Sequence, residues 1–377
     1  GRRQRQMCIR DSGDTVLVLP GDTPLFRPES ISELIGAHGG AGATLLTAEM
    51  PDPTGYGRVI RDGDRVVAIV EERDASDEQR AVREVGLSTY AFDGAALADA
   101  LGKIGNDNAQ GEYYLTDVIE VIGVSRDVGA VAGVEATEVQ GVNSLAQLAA
   151  VNATMRERIL VDWMARGVWV QDPARTYIDA SVRLEPGARL YADVHLEGDT
   201  SVDAGAVVGP NVFAVDSAIG AGSRVWYSVL RSARVGEDAE VGPYASLRPG
   251  TVMEAGSKVG TFVETKATTV GKGSKIPHLS YVGDATIGEF SNIGAGSITC
   301  NYDGYEKHPT VIGDRVKIGS DTMLVAPVEI GDDGWTGAGS VISKDVPPGS
   351  LGVERSSQRE VPGYAARRAR NAEKKGD

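Results

Sequence analysis

Between about residues 14 and 142, short apolar runs alternate with stretches in which apolar residues recur every three or four positions. The run TVLVLPGD (15–22) predicts a parallel strand buried on both faces, and PESISELIGAHGGAG (28–42) predicts a helix that stops at glycine. Further strands are predicted at ATLLTAEM (43–50), VGLSTYAFD (85–93) and GAVAGVEA (129–136), with a helix around 94–103. This alternation indicates an α/β domain.

The longest helical pattern is SLAQLAAVNATMRERILVDWMAR (144–166), which ends at Gly167. We expect this helix to connect two domains. Apolar residues recur along it at steps of three and four, at Leu145, Leu148, Ala149, Met155, Ile159 and Trp163.

From about residue 178 the apolar period changes to six, as in IGDRVK, IGSDTM and LVAPVE. Hexads of this kind predict a parallel β-helix, in which an aliphatic residue points inward and a small residue follows at the turn. The register is interrupted at residues 272–280 and 300–310. Because interruptions in such arrays become loops on one face, we expect both to lie at a binding surface.

The net charge of −15 argues against nucleic acid as a partner, so any anionic ligand needs a local basic cluster. Two cysteines provide neither a disulfide framework nor metal-ligand spacing, which fits a reducing cytosol. We find no apolar run long enough for a membrane helix. The arginine-rich start, GRRQRQMCIR, lacks apolar periodicity, and we interpret it as a non-native leader.

Four motifs in the second half follow one another in a specific order: LRPGT (247–251), VETKAT (263–268), HLSYVGD (278–284) and NIGAGSITCNYDG (292–304). In these motifs the chain resembles the bacterial bifunctional N-acetylglucosamine-1-phosphate uridylyltransferases / glucosamine-1-phosphate N-acetyltransferases. The resemblance extends from Asp14 to the C-terminal region. It implies a partial, Rossmann-like nucleotidyltransferase domain and a left-handed parallel β-helix of hexapeptide repeats.

The resemblance also implies two activities and a homotrimer in the cytoplasm. The β-helix would transfer acetyl from acetyl-CoA to the amine of glucosamine-1-phosphate. The first domain would join the product to UTP with Mg²⁺, giving UDP-N-acetylglucosamine, a cell-wall precursor. We therefore expect a leader at 1–13, a partial nucleotidyltransferase domain at 14–143, a linker helix at 144–167, the acetyltransferase β-helix at 168–350 and a tail at 351–377.

By this resemblance His278 is the general base of acetyl transfer. The sugar amine is mostly ammonium at neutral pH and must lose a proton before it attacks a thioester, and imidazole titrates in this range. A lone histidine taken by itself is more often packed or solvated. The placement of His278 in a register interruption, three residues before Tyr281, favours the catalytic interpretation.

Other site residues are carried over position by position. Arg248 and Lys266 would bind the sugar phosphate, as a bidentate fork and a point charge respectively, and Tyr281 and Asn292 would bind the sugar. Acetyl-CoA would contact Ala295, Asn301, Tyr302, Ser320, Ala338 and Arg355. The match at Arg355 departs from the family in the residues before it, and Cys300 is interpreted as a buried filler.

In the first domain, Asp22 in LVLPGDTPL and Asn143 in QGVNSL match the Mg²⁺ ligands, while Gly57 and Glu71 match sugar-contacting positions. The family's sugar-binding Asn is replaced here by Gly86. The Gly-rich phosphate loop is not in this sequence, so we expect uridylyl transfer to be lost in this chain.

Two alternatives stay open at this point. A zinc enzyme on a hexad scaffold needs three convergent histidines, but only His278 and His308 lie in the second half of the array. A non-catalytic trimeric β-helix scaffold is opposed by the set of histidine, tyrosine, asparagine, lysine and arginine residues in the matched motifs.

Overall fold

The computed structural model describes residues 14–133, 135 and 137–373. The residues assigned to a leader lie outside the described part. Internal contacts divide the chain into two compact units, with the boundary along the sequence between Met155 and Arg156. The domain boundaries drawn from the sequence remain predictions.

The described elements of the first unit are β1 (Thr15–Val18), α1 (Pro28–His38), β2 (Ala43–Glu49), β3 (Arg58–Asp62), β4 (Arg65–Val70), α2 (Asp77–Arg80), β5 (Glu84–Asp93), α3 (Gly94–Leu101), α4 (Asp117–Gly123) and β6 (Val128–Ala132). The six described strands form one mixed sheet in the order β4-β3-β5-β2-β6, with β1 also paired to β5. Leu45 and Leu46 of β2 are both buried, Leu45 among residues of α3 and α4 and Leu46 beside Leu34 of α1. Helices therefore cover both faces of the sheet, as the α/β pattern predicted.

The interpretation of TVLVLPGD as a parallel strand buried on both faces is wrong. Strand β1 pairs antiparallel with β5, and Thr15 and Leu17 are exposed. Within the described residues β1 pairs with a neighbouring strand along one edge only. The apolar run therefore corresponds to a strand whose side chains are only partly buried.

The predicted connecting helix is present as α5 (Leu145–Ala165), but only part of its apolar pattern is buried. Leu145 is 84% exposed, whereas Val151 and Leu160 are buried. In the second unit Ile159 and Trp163 pack beside Leu160 against the β-helix core. The apolar pattern therefore identified buried side chains better at the C-terminal end of the helix than at its N-terminal end.

The second unit is a parallel β-helix, as predicted, with all its paired strands stacked in two sheets. A short 3₁₀ turn (Pro173–Arg175) lies in the first coil, and helix α6 (Tyr364–Glu373) follows the last. The 11-stranded sheet contains Trp169–Val170, Arg189–Leu190, Val207–Val208, Arg224–Val225, Glu240–Val241, Lys258–Thr261, Lys275–His278, Asn292–Ile293, Lys317–Ile318, Trp335–Thr336 and Leu351–Gly352. The 17-stranded sheet contains Thr176–Ile178, Arg183–Leu184, Val194–Glu197, Ser201–Val202, Val212–Val215, Ala218–Ile219, Val229–Arg231, Arg234–Val235, Ser246–Leu247, Val252–Met253, Glu264–Val270, Tyr281–Ile287, Ile298–Cys300, Thr310–Ile312, Met323–Val325, Val328–Ile330 and Val341–Ile342.

Paired residues in neighbouring coils are typically 16 to 18 positions apart along the chain, which matches three hexads. The inward aliphatic residues form one continuous core from Leu160 to Val346. Each hexad therefore supplies one inward side chain and three hexads complete one layer of the interior, as the six-residue period predicted.

Of the two expected interruptions, only the second forms a loop. Residues 272–280 continue the coil, because Ile276 takes the inward position and Ser274 is buried with its hydroxyl donating to the carbonyl of Gly288. At residues 301–309 the chain leaves the coil, so Ile293 pairs with Ile318, 25 positions later. We call this segment the excursion.

Among the described residues, no helix is both long enough and apolar enough to cross a membrane.

Candidate functional site

Three of the predicted sugar-phosphate residues lie on one face of the 17-stranded sheet. Arg248 follows strand Ser246–Leu247, which pairs with Glu264–Val270, and that strand in turn pairs with Tyr281–Ile287. In this register Glu264 lies beside Tyr281, and Lys266 lies beside Gly283. Alternation along the strands therefore places Arg248, Lys266 and Tyr281 on the outer surface of successive coils.

Asp284 joins these residues into one hydrogen-bonded group. Lys266 Nζ lies 2.7 Å from Asp284 Oδ1, and Asn301 Nδ2 donates to Asp284 Oδ2 at 2.5 Å and to the Tyr281 hydroxyl at 3.4 Å. Burial acts to raise the pKa of Asp284, but the hydrogen bonds from Lys266 and Asn301 outweigh it and hold the pKa below its usual value. The carboxylate thus fixes the positions of a cation and an amide.

A third cation, Lys307, comes from the excursion and stands beside Lys266. The close side-chain contact with Lys266 lowers the pKa of Lys307, and charge repulsion between the two ammonium groups acts in the same direction. Arg248 pairs with Glu264 at 2.7 Å. We call Arg248, Lys266 and Lys307 the cationic cluster. The cluster carries one positive charge more than its two carboxylate partners, Glu264 and Asp284, in a strongly acidic protein.

His278 and Asn292 lie on the other sheet, around the corner from the cationic cluster. His278 ends strand Lys275–His278, is exposed, and pairs in register with Thr261, while Asn292 lies beside Lys275 of the same sheet. Among the described residues neither side chain joins the hydrogen bonds around Asp284. The register interruption that favoured His278 as the base is absent, because this histidine sits in a regular coil.

Three of the predicted acetyl-CoA residues stack at one corner of consecutive coils. The carbonyl of Ala295 accepts from Asp321 N, that of Ser320 from Gly339 N, and that of Ala338 from the guanidinium of Arg355, each at 2.8 Å. Each follows a glycine, and a Cβ on the preceding glycine would approach the next coil at 2.5 to 2.6 Å for Gly294 and Gly319. The corner therefore presents a column of small side chains, with Arg355 held at its end.

Asn301 and Tyr302 begin the excursion but point to different surroundings. Asn301 is buried against Asp284, whereas Tyr302 is 60% exposed and its hydroxyl donates to the carbonyl of Gly304 at 2.7 Å. Only Asn301 therefore belongs to the group around Asp284.

In the first unit, Asp22 and Asn143 line one cavity of about 340 Å³, together with Gly55 and Gly86. Val142 N donates to the carbonyl of Asp22 at 2.7 Å, which ties the two segments together. The hydroxyl of Thr23 in the same cavity is buried and has no hydrogen-bond partner among the described residues. One carboxylate, one amide and substrate phosphates are ligands that suit Mg²⁺, so the residues present fit this metal.

Gly57 and Glu71 are neighbours at the ends of β3 and β4. A Cβ on Gly57 would lie 2.8 Å from Ile69 and 3.5 Å from Glu71 Oε1, so the glycine permits this close approach. Glu71 Oε1 accepts a hydrogen bond from the Thr116 hydroxyl at 3.1 Å. The structure thus brings this predicted pair together.

Comparison with known proteins gives the family. No protein-family profile matches the chain. The curated "Bifunctional protein GlmU" of Streptomyces avermitilis is 51% identical over 359 residues, which cover 94% of this chain and 74% of that protein. The GlmU of Kineococcus radiotolerans is 52% identical over 357 residues, covering 94% and 73%, and that of Desulfitobacterium hafniense is 49% identical over 351 residues, covering 92% and 78%.

This chain belongs to the bifunctional GlmU family. The resemblance drawn from the four motifs is thereby confirmed.

Two residues of this GlmU-family chain were missed from the sequence, Asp284 and Lys307. Asp284 ends the motif HLSYVGD, and Lys307 lies in the register break. A search for the carboxylates that must balance Arg248 and Lys266 could have found Asp284. Lys307 gave no such signal, because only the hairpin geometry of the excursion brings it back to the sheet.

Proposed function

We propose that this chain transfers acetyl from acetyl-CoA to the amine of glucosamine-1-phosphate, giving N-acetylglucosamine-1-phosphate. The observation that carries the proposal is the cationic cluster around Asp284, Tyr281 and Asn301. Membership of a bifunctional family and the motif matches support the same reaction. In this proposal residues 168–350 form the acetyltransferase domain.

The cationic cluster would bind the sugar phosphate. A dianion placed among three cations relieves the repulsion between Lys266 and Lys307, which Asp284 alone offsets only in part. Arg248 offers a planar fork and the lysines offer point charges. Tyr281 and Asn301 would then orient the sugar, with Asn292 as a further sugar contact.

His278 would take the proton that the sugar ammonium loses. The freed amine nitrogen forms a bond to the thioester carbonyl carbon and loses its second proton to give the amide, while the carbon–sulfur bond breaks and the leaving coenzyme A thiolate takes up a proton. General-base assistance of this kind contributes about 10²–10⁴-fold to the rate. The exposed imidazole lies one corner from Tyr281, within the same motif.

The column formed by Ala295, Ser320 and Ala338 would accept the pantetheine arm, because small side chains leave room along the corner. Arg355, held by the Ala338 carbonyl, would meet a phosphate of the coenzyme. Asn301 and Tyr302 would flank the acetyl group, although Tyr302 must leave its bond to Gly304 to do so.

The decisive experiment is a thiol-release assay with acetyl-CoA and glucosamine-1-phosphate. We expect release that requires both substrates and that falls in Lys266→Ala but not in Arg234→Ala, which removes an exposed cation two coils away. A folded protein that releases no thiol would instead support the non-catalytic scaffold.

For the first unit the proposal is a nucleotidyltransferase domain at residues 14–143, with UTP and a UDP-sugar as ligands. Asp22 and Asn143 would hold Mg²⁺, which supplies charge neutralisation for the substrate phosphates, and Gly57 and Glu71 would contact the sugar. The expected loss of uridylyl transfer stays a prediction. Binding of Mn²⁺, followed by water proton relaxation, should weaken in Asp22→Asn, and an unchanged Mn²⁺ affinity would contradict the assignment.

A further inference from the structure

The excursion is a closed hairpin rather than an open loop. Tyr302 and Lys307 form an antiparallel bridge, and His308 N donates to the carbonyl of Asn301 at 2.8 Å. Its two ends therefore meet where the chain leaves and rejoins the coil. Both ends carry side chains of the site, Asn301 at one and Lys307 at the other.

Asp303 organises the tip of this hairpin and His308 completes the contact. Asp303 Oδ1 accepts from Tyr305 N at 2.8 Å and from Glu306 N at 2.7 Å, while Oδ2 lies 2.8 Å from His308 Nε2. Both oxygens of one carboxylate are thus used, and the His308 ring links the returning strand to the outgoing one. Neither residue is assigned a role by the motifs.

The position of Lys307 needs such a constraint. Lys307 stands beside Lys266, and two ammonium groups at close range repel each other. A free lysine side chain on an open loop would move away into solvent. The bridge and the His308–Asp303 contact hold the backbone of the excursion so that Lys307 stays in the cationic cluster.

We propose that His308, through its contact with Asp303, is a positioning residue that holds the excursion closed and so places Lys307 and Asn301 around the sugar phosphate. We call this His308–Asp303 contact the clasp. The inference rests on the proposed acetyl transfer, since it assigns a supporting residue to that site. His308 itself does not touch the cationic cluster through any hydrogen bond of the described residues.

Two variants test the clasp. His308→Ala removes the side-chain donor, and His308→Gln keeps an N–H that can reach Asp303 Oδ2. We expect His308→Ala to raise KM for glucosamine-1-phosphate about 10-fold, the effect of one hydrogen bond to a charged group. KM for acetyl-CoA should change less, because the column formed by Ala295, Ser320 and Ala338 lies outside the excursion, and His308→Gln should recover most of the loss.

Hydrogen–deuterium exchange supplies a readout that is independent of activity. Exchange in residues 301–309 should be faster in His308→Ala than in the wild type and should be slow again in His308→Gln, with residues 281–287 as the internal reference. Equal exchange in all three proteins, equal KM values, or equal losses in both variants would overturn the clasp. Absence of thiol release in the wild type would remove the proposed function, while the exchange rates would still decide whether the clasp exists.

Discussion

At the scale of single residues, Asp284 is the centre of the site, because one carboxylate serves both Lys266 and Asn301. Exposed ion pairs contribute only about 0–1 kcal/mol to folding. Here both side chains of the Lys266–Asp284 pair are only 21% exposed, and Asp284 also satisfies the buried amide of Asn301. Loss of this carboxylate should therefore disturb the geometry of the site and the stability together.

The pH dependence of stability should report on Asp284. The carboxyl has a pKa below its usual value in the folded protein, so its contribution to the free energy of unfolding is complete above about pH 4 and is lost as the pH falls through the lower folded pKa. We expect Asp284→Asn to be less stable than the wild type by about 1.5–3 kcal/mol near pH 7, the value of a hydrogen bond to a charged group.

Thermal melts of both proteins from pH 7 downward check this sign. The gap between the two melting temperatures should stay constant to about pH 4 and narrow below it, since protonated Asp284 resembles asparagine. A gap that widens on acidification would contradict the assignment of a lowered pKa to this carboxyl.

His278→Ala tests the general base. If His278 takes the proton of the sugar amine, kcat for acetyl transfer should fall by about 10²–10⁴-fold while KM for acetyl-CoA changes little. Lys266→Ala provides the contrast, because loss of a phosphate contact made before and during the reaction should mainly raise KM for glucosamine-1-phosphate.

Kinetics and thermal melts of the two variants should be measured together. If His278 has a purely structural role, His278→Ala should lower the melting temperature, and the remaining activity should be proportional to the amount of folded protein. If folded His278→Ala keeps more than about a tenth of the wild-type kcat, the loss of rate is smaller than the minimum expected for removal of a general base. Tyr281 or a bound water would then be the candidate base.

At the scale of elements, the corner that carries Ala295, Ser320 and Ala338 is a smooth column because every side chain in it is small. Ala338 is exposed, so a larger side chain can point outward without disturbing the coil. We expect Ala338→Trp to raise KM for acetyl-CoA about 10-fold by blocking the groove, with KM for glucosamine-1-phosphate unchanged.

Ala204→Trp is the matched control. Ala204 is an exposed corner alanine whose carbonyl accepts from Gly222 N, an arrangement like that of Ser320 and Gly339, but in an earlier coil. Equal kinetic effects of the two substitutions would show that the groove does not bind acetyl-CoA.

The elements also show how far the sequence predicts this molecule. The hexads located the β-helix, because each coil must bury an aliphatic residue at a fixed spacing, and Ile276 and Ile318 both follow this rule. The same pattern failed at residues 272–280, which were expected to interrupt the coil but continue it, with Ile276 inward and the Ser274 hydroxyl bonded to the next coil. Periodicity measures which side chains face inward, and a hydroxyl that finds a carbonyl partner satisfies the interior equally well.

The site was predictable where the chemistry lies in local motifs and unpredictable where it depends on tertiary placement. Arg248, Lys266 and Tyr281 come together as the motifs suggested, and Asn301, which was assigned to acetyl-CoA, joins them through Asp284 and Tyr281. The grouping of Lys307 with Lys266 depends on the hairpin, and the separation of His278 and Asn292 onto another sheet depends on where the coil turns. Neither feature is encoded in a short stretch of sequence.

At the scale of the whole molecule, a flat-sided β-helix with a half-open site on one face favours self-association. We expect a homotrimer with a mass about three times 39.6 kDa, in which a second copy covers the exposed face of the site. Light scattering at micromolar concentration tests this, and a monomeric mass under those conditions would contradict it.

The spacing between paired coils has a consequence for how the chain folds. Contacts between positions 16 to 18 apart close only short loops, so folding can propagate from each coil to the next one along the chain. The step of 25 positions at the excursion costs only about 0.3 kcal/mol more in loop-closure entropy than a step of 17. A β-helix can therefore acquire a hairpin that bears site residues at almost no cost to its assembly, and further insertions at the same corner should be tolerated equally well.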